Sequence, residues 1–600
     1  MKRARHASLV VLAAVLFIAA GCTAQKSYVA DAVADPDAID VAGEDNYTLG
    51  TLDFPAVTSN YRAPFSKGVN FTEWFQSPSP QTIPFTKYTE ETFEQAKSIG
   101  VDVVRLPLNL HSFTNGVAAG RSAYTLDPLF LRLLDQAVDW AEKHEMHLIL
   151  DNHSFDPVAN TSEDIGDILI PVWTQMADRY KDRSQYVMYE ILNEPHGISD
   201  SVWSEIQGRA IAAIRSKDTT HTIIVGGTGY NSINALSAIP EYSDDNLIYT
   251  FHFYDPYLFS HQGETWGSPP NLRNLKGVPF PPDSHAMPAT PGDLKGTWVE
   301  YNLKNQYPQE GKLATLAATL NKASEFSNAR QAPVFCGEFG VYIINSLQKD
   351  RVRWYTAVTQ FLDERGVART SWDYFGGFGL FNSGASGGFY SDLNVEVVRA
   401  MGFTPPDQIA AGTVEKVRTG FVLYDDYPRN GASIVCWETG AADDLDAMFF
   451  SAYAASAADG DYCLLWKNPK QYHSFMFTFP GSIDWDYLED NGYALRFKIK
   501  TSADVSFDIR FVDVESAVSI PWRMKFTVDS ETAPADNEWR AVTIPFDAMT
   551  EHGAWINATQ EWIGPRGEFT WEHIDMLAFV AEADAFTGEV WIDSIEVVKP

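Results

Sequence analysis

The chain has 600 residues, too many for one ordinary hydrophobic core, so two folded domains with accessory segments are expected. Its 45 Lys and Arg against 79 Asp and Glu give a formal charge of -34, which repels nucleic acid and anionic lipid head groups and leaves a neutral partner as the natural one. The same charge also serves solubility outside the cell, a role that needs no partner at all.

Residues 1–22, MKRARHASLVVLAAVLFIAAGC, join a basic start to an apolar run from Leu9 to Ala20 and small residues before Cys22. That is the pattern of a secretory signal, too short for a spanning helix. The IAAGC ending resembles the lipobox of bacterial lipoproteins. The resemblance implies that Cys22 becomes a lipidated first residue and that the protein is membrane-anchored outside the cytoplasm, at the cell surface; plain secretion is the alternative. Residues 23–60 follow as an acidic, flexible linker with little to bury. Cys336, Cys436 and Cys463 show no Cys-x-x-Cys or Cys/His spacing, so no zinc site is expected. Cys436 and Cys463 lie in one region of the chain and are a candidate disulfide.

Across 61–405, strand-like runs alternate with amphipathic stretches. The strands are GVNF (68–71), VDVVRLPL (101–108), HLILDNH (147–153), YVMYEIL (186–192), HTIIVGG (221–227), LIYTFHF (247–253), PVFCGEF (333–339) and ARTSWDYF (368–375). Between them, stretches such as DPLFLRLLDQAVDWAEKH repeat apolar residues at three and four. Eight such units specify a (β/α)8 TIM barrel, whose active site sits at the C-terminal strand ends. There the sequence places Arg105, His153, Asn193, Glu194, His252, Tyr254, Glu338 and Trp372. Pro195 ends the fourth strand and leaves Asn193 and Glu194 at the barrel mouth.

Two carboxylates on non-adjacent strands suit glycoside hydrolysis. Pairs about 5 to 5.5 Å apart retain configuration and pairs about 6.5 to 9.5 Å apart invert it, a gap that sequence does not measure. The motifs GVNF, VVRLP, ILDNH, EILNEP, TFHFYDP, CGEFG and TSWDYF together resemble glycoside hydrolase family 5, in the retaining clan of (β/α)8 glycosidases. The resemblance implies that Glu194 is the acid/base and Glu338 the nucleophile. It also implies that Asn193 holds the sugar 2-hydroxyl, that Arg105 and Tyr254 hydrogen-bond the nucleophile, and that His153 and His252 line the reacting subsite. An acid/base needs a raised pKa, here expected from partial burial and from the Glu338 charge.

Glu190, deeper on the Glu194 strand, reads as a core carboxylate, and His111, His144, His147, His196 and His221 as surface or structural. The glycine run GGTGYNS lacks a phosphate-loop ending and reads as a plain strand-to-helix connection. Aromatic residues stack on pyranose faces. Trp74 after strand one, Trp372 after strand eight, and Tyr257, His261 and Trp266 after strand six suggest several subsites, hence a polysaccharide cut internally. The Pro- and Gly-rich insert from Trp266 to Trp298 is expected to wall one end of the cleft. YDPYLFSHQGETW and YFGGFGLFN resemble segments of the family's bacterial endoglucanases, which implies β-1,4-glucan; β-mannan, mixed-linkage glucan and xyloglucan stay open. A transglycosylase shares the covalent intermediate, and a non-catalytic carbohydrate-binding surface lipoprotein would lack one carboxylate. No cofactor is expected in the barrel, and the protein is expected to be a monomer.

From 412 to 600 the alternation changes to period two in YALRFKIK, VSFDIRFVDV, WRAVTIPF and EVWIDSIEVV, an antiparallel β-sandwich. This part resembles jelly-roll carbohydrate-binding modules. Nine of the chain's 17 Trp lie here, either as a sugar-stacking platform or as sandwich core. Asp426 and Asp593 are candidate ligands of a structural calcium, short of a full oxygen set.

Overall fold

The computed structural model describes residues 56–80, 83–114, 124–267, 270–384, 387–409, 416–430, 432–437, 450–454, 457–460, 462–479, 483–513, 520–556, 559–582 and 585–600. The signal, Cys22 and most of the linker lie outside these residues, as does the side chain of Cys436. Contacts divide the described chain into a unit ending at Thr413 and a second running from Val414 to Pro600.

In the first unit, β1 (Lys67–Asn70), β2 (Val103–Leu108), β3 (His147–Asn152), β4 (Val187–Glu190), β5 (Thr222–Gly226), β6 (Leu247–Phe253), β7 (Val334–Phe339) and β8 (Ala368–Ser371) form a closed barrel, with β1 parallel to β8. The helices between them follow from local chemistry. In Pro128–Lys143 the Asp127 side chain caps Leu129 and Phe130, and proline occupies the first turn. Phe130, Leu133, Leu134, Ala137, Val138 and Ala141 of this helix are buried at helical spacing.

The barrel interior is layered by the strand period of two. Val103, Ile149, Met188, Ile224, Ile248, Phe335 and Ala368 pack with Phe65 as an apolar floor. Two residues further along, the layer turns polar at Arg105, Asp151, Glu190, Thr250 and Thr370, all buried. β7 then breaks the rhythm. Phe251 pairs with Cys336 but His252 pairs with Glu338, so Gly337 is an extra residue in the ladder. By strict alternation Glu338 would follow Cys336 away from the interior; the bulge turns it inward. A Cβ on Gly337 would stand 2.7 Å from Thr250 Oγ1, so glycine is required there. The β4 ladder stops at Glu190, earlier than the sequence pattern suggested, and Glu194 takes a φ of 44°.

The second unit is all-β. One sheet centres on Glu589–Val598, flanked by Cys463–Lys467, Ala494–Thr501 and Phe421–Asp425; the other runs Ser433–Trp437, Ser474–Thr478, Ile574–Val580, Phe507–Asp513, Trp522–Val528, Thr550–His552. Inward residues of both, including Trp466, Phe497, Ile592, Phe475, Ile509 and Phe579, share one core, which makes this a sandwich. Asp593 Oδ2 accepts the Ala458 and Asp459 N–H groups at 2.7 and 3.1 Å, and Asp426 Oδ1 accepts that of Tyr462 at 2.8 Å. Both carboxylates thus hold the same loop.

Candidate active site

Arg105 is the hub of the polar layer. Its Nε and Nη2 bind the two oxygens of Glu190 at 2.8 and 2.9 Å, and Nη1 binds Glu338 Oε1 at 2.7 Å and Asn70 Oδ1 at 3.0 Å. Nη2 also reaches Asn193 Oδ1 at 2.8 Å and Asp151 Oδ2 at 3.0 Å. A fully buried cation is tolerated here because three carboxylates surround it. Glu190 is therefore the core carboxylate the sequence suggested. Asn193, with its oxygen occupied, turns its amide nitrogen to His153 Nε2 at 3.4 Å and to the cleft.

Both oxygens of Glu338 meet donors, Arg105 on Oε1 and the Tyr254 hydroxyl on Oε2 at 2.9 Å. Burial raises the Tyr254 phenol well above its ordinary range, so it remains a donor. His252 Nδ1 lies 2.6 Å from Glu194 Oε1 and 3.5 Å from Glu338 Oε2, and burial holds this imidazole down to about 4, hence neutral at working pH. Burial pushes the Glu194 carboxyl up to about 8, opposed by Arg105 and His196 and assisted by Asp151 and Glu190. The shift has the expected direction, with burial rather than the Glu338 charge as its first cause. One oxygen of Glu194, one of Glu338 and a ring nitrogen of His252 lie within 4.8 Å of one another, a spacing that also falls within reach of a metal ion. The nearest oxygens of the two carboxyls thus come within 4.8 Å of each other, near the roughly 5 to 5.5 Å separation of pairs that act by direct attack.

Above this pair lies a cleft of about 1140 Å³ lined by His153, Asn193, Glu194, His252, Tyr254, His261, Trp266, Glu338 and Trp372. Trp372 stacks on His153 with ring centroids 5.4 Å apart at 17°, so its indole is fixed as a floor. His261 stacks on Tyr257 at 4.3 Å, and Trp266, 45% exposed, stands edge-on to Tyr342 at 4.9 Å. Gln262 and Glu264 brace the insert by bonding the backbones of Val278, Gly267 and Leu272.

Trp74 is a correction. It is fully buried, its indole N–H donates to Phe85 O at 2.7 Å, and it lies parallel to Trp140. Glu73 takes a φ of 55° and Phe75 bridges to Leu108, so the chain folds back and drives the indole into the shell behind β1. It does not line the cleft. Tyr230 does, and sequence reasoning passed over it inside GGTGYNS. Gly229, Tyr230 and Asn231 take φ values of 68°, 62° and 51°, three consecutive left-handed residues where single ones are the rule. The turn lays the Tyr230 ring on His196, 4.1 Å away at 12°, while His196 Nδ1 bonds the Glu194 carbonyl at 2.8 Å. His196 is buried and structural, as expected, yet it touches the Glu194 backbone. The signal available in the sequence was the Gly-Tyr-Asn triplet directly after a barrel strand.

A close carboxyl pair on a Trp-floored (β/α)8 barrel, one member with its pKa raised and the other clamped by a cation and a phenol, has the parts that two-carboxylate glycoside hydrolysis requires. Residues 64–376 match the cellulase family, glycosyl hydrolase family 5, and the chain belongs to that family. Residues 471–599 match carbohydrate binding domain 30. Endoglucanase 3 of Fibrobacter succinogenes is 30% identical over 343 residues, covering 53% of this chain and 51% of that protein. Endoglucanase C of Acetivibrio thermocellus is 28% identical over 329 residues, 52% of this chain and 91% of that protein. Endoglucanase H of the same organism is 24% identical over 523 residues, 85% of this chain and 51% of that protein. The chain thus spans about half the length of Endoglucanase 3 and of Endoglucanase H.

Proposed function

We propose that the barrel hydrolyses internal β-1,4 linkages of a glucan with retention of configuration. The observation that carries this is the approach of Glu194 and Glu338 oxygens to within 4.8 Å inside a long aromatic cleft. The named activities of the endoglucanase relatives support the choice of glucan.

Glu338, oriented by Arg105 and Tyr254, attacks the anomeric carbon while Glu194, protonated below about 8, gives its proton to the leaving oxygen. Forming the ester removes the Glu338 charge, which lets Glu194 ionise more readily and act as base toward water. In this reading Asn193, which lines the cleft beside His153, holds the 2-hydroxyl through Nδ2. Tyr230, stacked on the His196 ring that bonds the Glu194 carbonyl, also lines the cleft, as do Thr72, Asn109 and Asp373, so the cleft extends past the carboxyl pair and has groups to hold further sugar units.

Reducing-sugar release from carboxymethylcellulose, mixed-linkage glucan, xyloglucan, mannan and xylan, with NMR of the first anomer formed, tests this. Release from carboxymethylcellulose with the β-anomer first is expected; release from mannan or xylan alone overturns the substrate, and an initial α-anomer overturns retention. We also infer from IAAGC an extracytoplasmic form anchored through lipid on Cys22. Detergent-phase partition that Cys22→Ser abolishes is the expected result, and retention of the serine variant would require another anchor.

A further inference from the structure

Glu194 does not continue the strand that leads to it. The β4 ladder has already stopped at Glu190, and Glu194 takes a φ of 44°, so contacts outside the sheet aim its carboxyl. An acid that must deliver a proton to one oxygen needs such contacts, because a misplacement of about 1 Å costs on the order of 10²-fold in rate. Several of them come from one turn, residues 227–232, directly after β5.

At the centre of the turn the Tyr230 N–H donates to Pro195 O at 3.2 Å, and the Tyr230 ring lies on His196, 4.1 Å away at 12°. His196 relays that contact. A carbonyl oxygen only accepts, so Nδ1 carries the proton that bonds Glu194 O at 2.8 Å. At the end of the turn Ser232 bridges in parallel to His252, whose Nδ1 meets Glu194 Oε1 at 2.6 Å. One turn therefore reaches both the main chain of Glu194 and the ring that holds its carboxyl.

The turn is itself fixed. A Cβ on Gly226 would fall 2.3 Å from Oδ1 of fully buried Asn231, and one on Gly227 would fall 2.8 Å from Ala235 Cβ. The Tyr230 hydroxyl donates to Pro157 O at 3.3 Å, and the His196 N–H donates to Thr161 Oγ1 at 3.0 Å. Three consecutive left-handed residues carry a strain that a mere sugar platform does not need; the return of the Tyr230 ring onto His196 does need it.

We propose that Tyr230 is a positioning residue for Glu194, acting through His196 and Pro195 to fix the direction in which Glu194 presents its proton to the leaving oxygen. The inference rests on reading Glu194 as the acid/base of a glycosidase.

The test compares phenyl and dinitrophenyl cellobiosides, because phenolate needs the Glu194 proton to leave and dinitrophenolate does not. In Tyr230→Ala, kcat/KM for the phenyl glycoside should fall about 10- to 100-fold, and that for the dinitrophenyl glycoside by less than about threefold. Tyr230→Phe keeps the ring on His196 and should keep both values near the parental ones. Azide displaces the Glu338 carboxylate from the anomeric carbon without help from a base, so it should raise kcat on the dinitrophenyl glycoside in Tyr230→Ala and not in the parent. If the alanine variant melts well below the parent, Tyr230→Leu fills the space without a planar face and repeats the comparison. An equal fall for both glycosides makes Tyr230 a sugar contact and overturns positioning, as do parental values for both or the lack of an azide effect in the variant. Failure of the parent to cleave either glycoside overturns the glycosidase reading instead.

Discussion

At the residue scale the two carboxylates differ because their neighbours differ. Glu194 is mostly buried and meets a neutral imidazole, while Glu338 meets a guanidinium and a phenol. Glu338→Ala should abolish turnover and keep oligosaccharide binding, with azide restoring part of the rate on an activated aryl glycoside. Parental activity without azide would remove Glu338 from its role. For Glu194 the raised value has a stability consequence whose sign is fixed. Its folded pKa of about 8 exceeds the ordinary 4.5, so the folded protein holds a proton that the unfolded chain releases, and stability contributed by this group falls as pH rises between those values. With each pKa unit worth about 1.4 kcal/mol, Glu194→Gln should melt higher than the parent at about pH 7 and converge with it near pH 4. A gain that persists unchanged in acid would assign the effect to something other than ionisation. The alkaline limb of kcat/KM, set by loss of the Glu194 proton, should be missing in Glu194→Ala acting on activated substrates.

At the element scale, strand and helix order was legible because period two and period 3.6 are strong signals over eight repeats. What was not legible is where alternation fails. In VFCGEF, alternation puts Phe335 and Gly337 on the inner face and Glu338 on the outer; likeness of motif, not periodicity, marked Glu338 for the mouth, and the Gly337 bulge reconciles the two. Trp74 was misplaced for a related reason, since a single left-handed residue, Glu73, reverses the direction in which the chain after β1 presents its side chains. Tyr230 depends on three such residues. These are backbone events of one to three residues, below what composition or periodicity resolves. Gly337→Ala tests the bulge. Its Cβ would meet Thr250 Oγ1 at 2.7 Å and His252 Nε2 at 3.2 Å, displacing the ring that lies between both carboxylates. A fall in kcat on the order of 10²-fold with KM little changed is expected; equal losses in folding yield and rate would mean that the bulge serves only the ladder.

At the scale of the whole molecule, each unit carries its own core, one floored by Phe65 and the barrel's apolar layer, the other built on Trp466, Trp485 and Phe579. Units whose cohesive contacts are internal unfold as separate cooperative blocks, and a single two-state transition is then the wrong description. Calorimetry of the full chain should resolve two transitions. Trp74→Ala removes a fully buried indole from the barrel shell and should lower one of them, at a cost of about 3 to 5 kcal/mol. Trp466→Ala does the same in the sandwich and should lower the other, leaving hydrolysis of a soluble aryl cellobioside at its parental rate below that transition. One transition shifted by both substitutions would mean that the two cores melt as a single block, and the barrel's stability would then depend on sandwich residues far from its own apolar floor in sequence.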